Sequence, residues 1–319
     1  MITLVKVELT RIWWRRAVRV LLLLAILLPL AVLLIRIHGT QTKTVEELVA
    51  ANGDYILEEI RACEKNPEEY GADISGPSFQ VACDELIAGW YGNSPLDLVE
   101  ERENGGGLAA MVLIAMVTLL AGTTFAGHDW NTGSISNQLL FEPRRERVWL
   151  AKALAIGLVS GALALAVLAA FWTGLWGVAS ARDLPIQDHA LSAAYKQAVL
   201  GAIFAAGAAL FGYALTMLLR STVGTLGLLF AVGFFCVVFV AGVLGLEGDT
   251  ERFMPWGNFY AFAVGDYEYY NFGPCFDGME GGCEQAGHIT RSTSAIYFLI
   301  ILAVTTVPSL FSFRERDLP

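Results

Sequence analysis

The residues best placed to do chemistry lie between two long apolar runs. Leu108–Gly127 ends at His128-Asp129-Trp130-Asn131-Thr132-Gly133-Ser134, and a short amphipathic segment follows from Ile135 to Glu142. Pro143-Arg144-Arg145-Glu146-Arg147 then precedes a second apolar run that begins at Val148. A histidine beside an aspartate at a membrane edge invites a metal or proton reading. No second histidine lies near the centre of a run, so the pair has no ligand set. No Gly-x-x-x-x-Gly-Lys-Ser/Thr, His-Glu-x-x-His or Gly-x-Ser-x-Gly occurs, so the chain holds no nucleotide in the P-loop manner and lacks those catalytic constellations. What remains is mechanical. Leu139, Leu140 and Phe141 give the segment one apolar side, and Arg144, Arg145, Arg147 and Lys152 give it positive charge. Read from its residues, it is either an element that a soluble partner pushes or pulls, or a loop with ordinary basic anchors.

The chain of 319 residues is 55% hydrophobic and only 16% charged, well below the charge of a soluble domain, which makes it a polytopic membrane protein. Its net charge of −10 is unevenly placed. Residues 39–106 carry fifteen acids and four bases, and residues 246–293 carry eight acids and two bases, so the rest of the chain is net basic. By the positive-inside tendency, the two acidic segments belong outside the cytoplasm, and both termini, residues 128–147 and Arg220 belong inside. Cys63 and Cys83 fall in the first acidic segment, and Cys275 and Cys283 in the second. In an oxidising compartment these are natural disulfides, Cys63–Cys83 and Cys275–Cys283; the alternative is free thiols. Cys236 sits in an apolar run as a small core residue.

The expected fold is an all-α membrane protein with six transmembrane helices and both termini cytoplasmic. Residues 1–17 form an amphipathic interfacial helix, with Trp13 and Trp14 at headgroup level. Span one covers 18–37 and span two 108–127. Between them, residues 38–107 make a small helical extracytoplasmic domain, with one helical pattern over Thr44–Cys63, a second over Phe79–Tyr91 and a third beginning at Pro95. Gly105-Gly106-Gly107 reads as a hinge-like run before span two. Residues 128–147 are the cytoplasmic segment. Span three covers 148–179, with small residues Gly157 and Gly161 at packing distance. An outer loop at 180–192 leads to span four at 193–219, and a tight turn leads to span five at 223–246. Residues 247–292 form an outer segment whose stretch Phe253–Val264 is too short to span and too apolar to float, hence re-entrant or interfacial. Tyr267, Tyr269, Tyr270 and Phe272 beside it read as an interface-seeking aromatic patch. Span six at 293–312 and a cytoplasmic tail at 313–319 close the chain.

Asp129-x-x-x-Gly133-Ser134-Ile135, Leu139-Leu140, Pro143-Arg144-Arg145-x-Arg147 and Lys152 resemble the segment after the second span in ABC transporter type-2 permeases. Glu8-Leu9 with Arg15-Arg16, Leu219-Arg220-Ser221 and the tail Phe313-Arg314-Glu315-Arg316-Asp317 are similar to other marks of that family. The acid is more often Glu there, and Ser134 stands where Thr is usual. The resemblance implies the permease subunit of an ATP-driven exporter in a bacterial cell membrane, moving an amphipathic, lipid-like or drug-like cargo. The partners it implies are separate P-loop ATPase subunits, a second permease copy or a paired permease, and membrane lipid, with no nucleic acid. ATP and Mg would be bound by the partner ATPase, so this chain has no cofactor and is not itself an enzyme. Asp129, Gly133, Ser134, Ile135, Pro143, Arg144 and Arg147 would be its ATPase-coupling residues. Met111, Thr118 and Thr123 on span two, with Phe230, Phe234 and Phe235 on span five, would line the translocation path. A reading from a different class is a membrane-anchored sensor or assembly factor that uses the disulfide-clipped outer domain to bind a partner.

The cysteine placement makes a direct prediction. Thiol labelling of the oxidised, denatured protein should find Cys236 as the sole free thiol, with Cys63, Cys83, Cys275 and Cys283 released only by reductant. Ready labelling of Cys63 without reductant would contradict it.

Overall fold

The computed structural model describes residues 1–70, 79–236, 238, 252–270 and 285–315. The chain is mostly helical. Helix α1 (Ile2–Trp14) is separated from α2 (Arg16–Gly39) by the extended backbone of Arg15. Helices α3 (Val45–Asn52), α4 (Tyr55–Lys65), α5 (Pro67–Tyr70), α6 (Phe79–Tyr91) and α7 (Leu98–Glu103) follow. Then come α8 (Gly106–Asn131), α9 (Ser134–Phe141), α10 (Arg145–Ala181), α11 (Ala190–Leu219), α12 (Thr222–Phe234) and α13 (Pro255–Val264). A hairpin of β1 (Asp266–Tyr270) and β2 (Gln285–Thr290) precedes α14 (Arg291–Glu315).

Five helices are long and apolar enough to cross a membrane: α2, α8 continued from α7, α10, α11 and α14. Helix α12 is apolar but shorter, and the rest of the expected fifth span lies largely outside the described residues. The all-α expectation needs one correction. Tyr267 pairs with Ile289 and Tyr269 with Gly287 in an antiparallel two-stranded sheet. Alternating aromatic and acidic residues, Asp-Tyr-Glu-Tyr-Tyr, are a period-2 pattern, which suits a strand. The hairpin packs on α13, where Tyr269, Ile289 and Ala261 are buried together, so this part of the expected aromatic patch is sheet. Phe253–Val264 resolves into the ten-residue helix α13 with Pro255 in its first turn.

The core is built on close approach of α8 and α11. A Cβ on Gly122 would lie 2.0 Å from the Ala209 carbonyl oxygen, and one on Gly212 would lie 2.3 Å from that of Leu119. Without a side chain at these two positions the backbones touch, which is how helices associate where no water drives them together. In α10, Gly161 packs against Ala206 of α11, whereas Gly157 faces open space.

At the end of the bundle where α2 stops and α8 starts, α3–α7 form a small unit. Leu48, Ile56, Ile60 and Ile87 are buried around the Cys63–Cys83 disulfide, as the cysteine pairing predicts; Cys275 and Cys283 lie outside the described residues. The helical pattern over Thr44–Cys63 is two helices, broken at Gly53, whose positive φ of 75° suits glycine. Thr44 and Glu47 cap α3 reciprocally, and the Asp97 carboxylate caps α7. Gly105-Gly106-Gly107 is a close-packing site, not a hinge. A Cβ on Gly106 would meet Arg36, Glu101 and Phe171, and one on Gly107 would lie 2.5 Å from Trp172. The buried Glu101 carboxylate accepts from the Gly106 N–H at 2.7 Å and pairs with Arg36. Arg182 donates to the Ile37 and Thr40 carbonyls that end α2, and Gln197 donates to the Arg102 carbonyl. These polar ties fix the small unit to the helix ends.

Gly122→Ala should lower the melting temperature of the detergent-solubilised protein, at a cost of about 1–3 kcal/mol, because the added methyl forces α8 and α11 apart. An unchanged melting temperature would show that the two backbones are not in contact there.

Candidate functional site: a buried ionic cluster behind helix α9

On α1, Val5, Glu8 and Ile12 share one helical face, and this face turns inward. Ile12 and Glu8 are both fully buried. A buried carboxylate needs a cation and hydrogen bonds, and it finds them on two other elements and on its own helix. Lys152, seven residues into α10 and also fully buried, places Nζ 3.0 Å from Glu8 Oε2 and 2.7 Å from Asp129 Oδ2. Glu8 Oε1 accepts from Gln138 Nε2 of α9 at 2.6 Å and from Arg11 at 3.3 Å. Arg11 also donates to Gln138 Oε1 at 2.8 Å.

Asp129, in the last turn of α8, holds the other half. Arg15 pairs with it, donates to the Phe125 carbonyl at 2.6 Å and stacks its guanidinium 4.6 Å above the Phe125 ring. The break between α1 and α2 allows this, because the extended backbone of Arg15 turns its side chain off the helical path and into the bundle. The Ser134 hydroxyl donates to the same carboxylate from the first turn of α9. Two carboxylates and two strongly buried cations, with Arg11 half-exposed at the rim, therefore join α1, α8, α9 and α10 in one network.

Helix α9 is set by Gly133, whose φ of 66° reverses the chain after α8 in a conformation that disfavours side chains. Ile135 is buried among Ile12, Phe125 and Trp149, and Leu139 packs on the same cluster. The far end of α9 is bare: Leu140 is 81% exposed and Phe141 91%. Pro143, Arg144 and Arg147 are exposed immediately after it. The structure thus divides the expected coupling residues. Asp129, Ser134 and Ile135 anchor α9 inward, Gly133 makes the turn, and Pro143, Arg144 and Arg147 flank the exposed tip.

The six residues expected to line a path fall into two groups. Met111, Thr118 and Thr123 are buried within the protomer, and both threonine hydroxyls donate to carbonyls of their own helix. Phe230 and Phe234 on α12 and Phe235 just beyond it are exposed. Among the described residues, no group of three or more histidine, cysteine, aspartate or glutamate side chains is placed to hold a metal ion.

Sequence reasoning gave Gln138 and Arg11 no part in this site, and it marked Glu8 and Arg15 only as features of the first helix. A signal was present: Glu8 falls on the apolar face of α1, and Lys152 lies just inside an apolar run. An ionisable residue in either place needs a partner.

Lys152→Met should destabilise the protein by about 3–5 kcal/mol, because it leaves two carboxylates buried without their shared cation. Adding Glu8→Gln and Asp129→Asn should recover part of the lost melting temperature, since neutral side chains remove the uncompensated charge; no recovery would show that Lys152 acts through packing alone. Comparison with known proteins finds no matching family model, no matching curated protein and no matching solved structure.

Proposed function

We propose that this chain is the membrane subunit of an ATP-driven exporter, with α9 as the element that docks on a separate P-loop ATPase. The observation that carries the reading is the two-sided build of α9. Its inner side is hydrogen-bonded to the buried carboxylates of α1 and α8, while its tip offers two nearly bare apolar side chains beside Pro143, Arg144 and Arg147. An exposed apolar pair rimmed by charge is the anatomy of a docking patch. A helix tied directly to α1 and α8 passes a push to the spans instead of absorbing it.

In this reading the α1 and α9 end faces the cytoplasm of a bacterial cell, as its arginines favour, and α1 lies along the membrane surface as an elbow. The disulfide-clipped α3–α7 unit faces outside, where thiols oxidise. Span five completes a set of six spans. A second permease copy covers exposed apolar faces such as that of α12. The cargo, amphipathic and lipid-like or drug-like, moves outward between the copies past Phe230, Phe234 and Phe235, with Met111, Thr118 and Thr123 on the span behind.

A second reading rests on the α3–α7 unit. Trp90 is exposed and stacks with Tyr70 at 5.8 Å between ring centroids, and the Tyr55 and Tyr91 hydroxyls meet at 3.1 Å. Tyr91 and Glu59 beside the Tyr55 phenol push its pKa above the ordinary range. An aromatic patch on a clipped domain suits a sensor or assembly factor that binds a partner there.

Leu140→Asp with Phe141→Asp should abolish co-purification of a P-loop ATPase from the native host, losing about 30-fold or more in affinity. The melting temperature should be unchanged, because both side chains are solvent-facing. Undiminished ATPase yield from the double variant would sink the docking assignment. An ATPase absent even from the wild-type complex would favour the sensor reading.

A further inference from the structure

Beside the buried cluster, a cleft of about 540 Å³ opens between the break that separates α1 from α2 and the last turns of α8. One wall is the first turn of α2, Arg16 to Val18. The backbone N–H groups of a first turn have no partner within their own helix and sit at the positive end of its dipole. Opposite stand Thr124, His128 and Asn131, spaced four and three residues apart and so on one face of α8. Thr222, the first residue of α12, closes a third side; the N-terminus of α12 is itself capped by the Ser221 hydroxyl, which accepts from the Gly224 N–H. The carbonyl end of α8 is partly quenched here, because the His128 oxygen accepts from both the N–H and the hydroxyl of Thr132.

Among the described residues, no carboxylate lines this cleft. The nearest in sequence, Asp129, is directed into the bundle and held by Arg15 and Lys152. Arg15 also lines the cleft, but its guanidinium is engaged by the Phe125 ring and carbonyl and by Asp129. The side chain of Arg16, one residue on, is exposed. The cleft therefore combines an exposed cation, hydrogen-bond donors and one uncapped helix N-terminus, with no negative group in its wall among the described residues. That is a binding site for a phosphate.

The surroundings say which phosphate. Trp14 lines the cleft and Trp13 is exposed beside it, as aromatic residues at headgroup level are. Directly beyond, α2 presents Val20, Leu23 and Leu27 bare, and α12 presents Val223 and Phe230. A ligand with its phosphate in the cleft would lay acyl chains along these flanks. We propose that the cleft holds the phosphodiester of an anionic glycerophospholipid, with Arg16 and His128 as its charged and hydrogen-bonding contacts. This site is independent of ATPase docking and stands or falls without it.

The test is native mass spectrometry of the full chain released from nanodiscs containing equal phosphatidylglycerol and phosphatidylcholine. Wild type should retain phosphatidylglycerol in preference. Arg16→Gln should cut that preference about fivefold, as expected for removing one interfacial cation, and Arg16→Gln with His128→Gln should abolish it. Lys43→Gln, which removes a charge near the opposite end of the bundle, should leave it intact. All substituted side chains are exposed, and an unchanged gel-filtration profile verifies the fold. Equal retention in the wild type and the double variant would overturn the proposal. Displacement of the lipid by millimolar inorganic phosphate would reassign the cleft to a free anion and overturn the lipid assignment.

Discussion

The cation of Lys152 is buried between two carboxylates, and much of the fold depends on how that is tolerated. An ammonium group stripped of water costs several kcal/mol unless its partners are close and themselves well bonded. Glu8 and Asp129 are close, but each is also buried, so each needs donors of its own. Arg15, Ser134, Gln138 and Arg11 supply them. Removing one member leaves another exposed to the same penalty, so α1, α8, α9 and α10 are held at one point by mutual necessity. The break at Arg15 is part of that solution: a straight helix through residues 2–39 would carry its guanidinium past Asp129.

The opposite end of the bundle repeats the arrangement with different parts. Glu101 is buried against Arg36 and the first N–H of α8, that of Gly106, and Arg182 collects carbonyls left over where α2 ends. Between the two polar ends, α8 and α11 meet through Gly122, Gly212 and alanines, with no acidic or basic side chain in the contact among the described residues. Small residues make a dense, smooth contact that resists bending but has little to hold its register along the axis.

How much of this is legible in the sequence varies with the physics of each element. Long apolar runs announce α2, α8, α10, α11 and α14 because hydrophobicity over eighteen or more residues needs no knowledge of neighbours. The Cys63–Cys83 bond follows from two thiols in an acidic segment and is present. The hairpin is harder to read, because its strands are separated by a long insertion and register with each other only in three dimensions. Gly105-Gly106-Gly107 shows the same limit. Glycine permits both flexibility and close approach, and only the positions of Phe171, Trp172 and Glu101 decide between them. The cluster was half legible: Asp129, Gly133, Ser134 and Lys152 stand out by type and spacing, but the link from α9 to α1 runs through Gln138, an ordinary polar residue on an amphipathic helix.

The packing also bears on where a path could lie. Helices α8 and α11 are the most enclosed of the five long helices, and their backbones are in direct contact at Gly122 and Gly212. No lumen can pass between them without pulling those contacts apart, and the threonines in α8 that could have lined one bond to their own helix. The outer flanks of α2, α12 and α14 are instead bare. In the exporter reading, a path that avoids the α8–α11 seam runs along the bare outer flanks, where a second copy would complete it. The cluster behind α9 then makes the protomer move as one body, so that a displacement at Leu140 and Phe141 widens the gap between copies instead of distorting the helices within one.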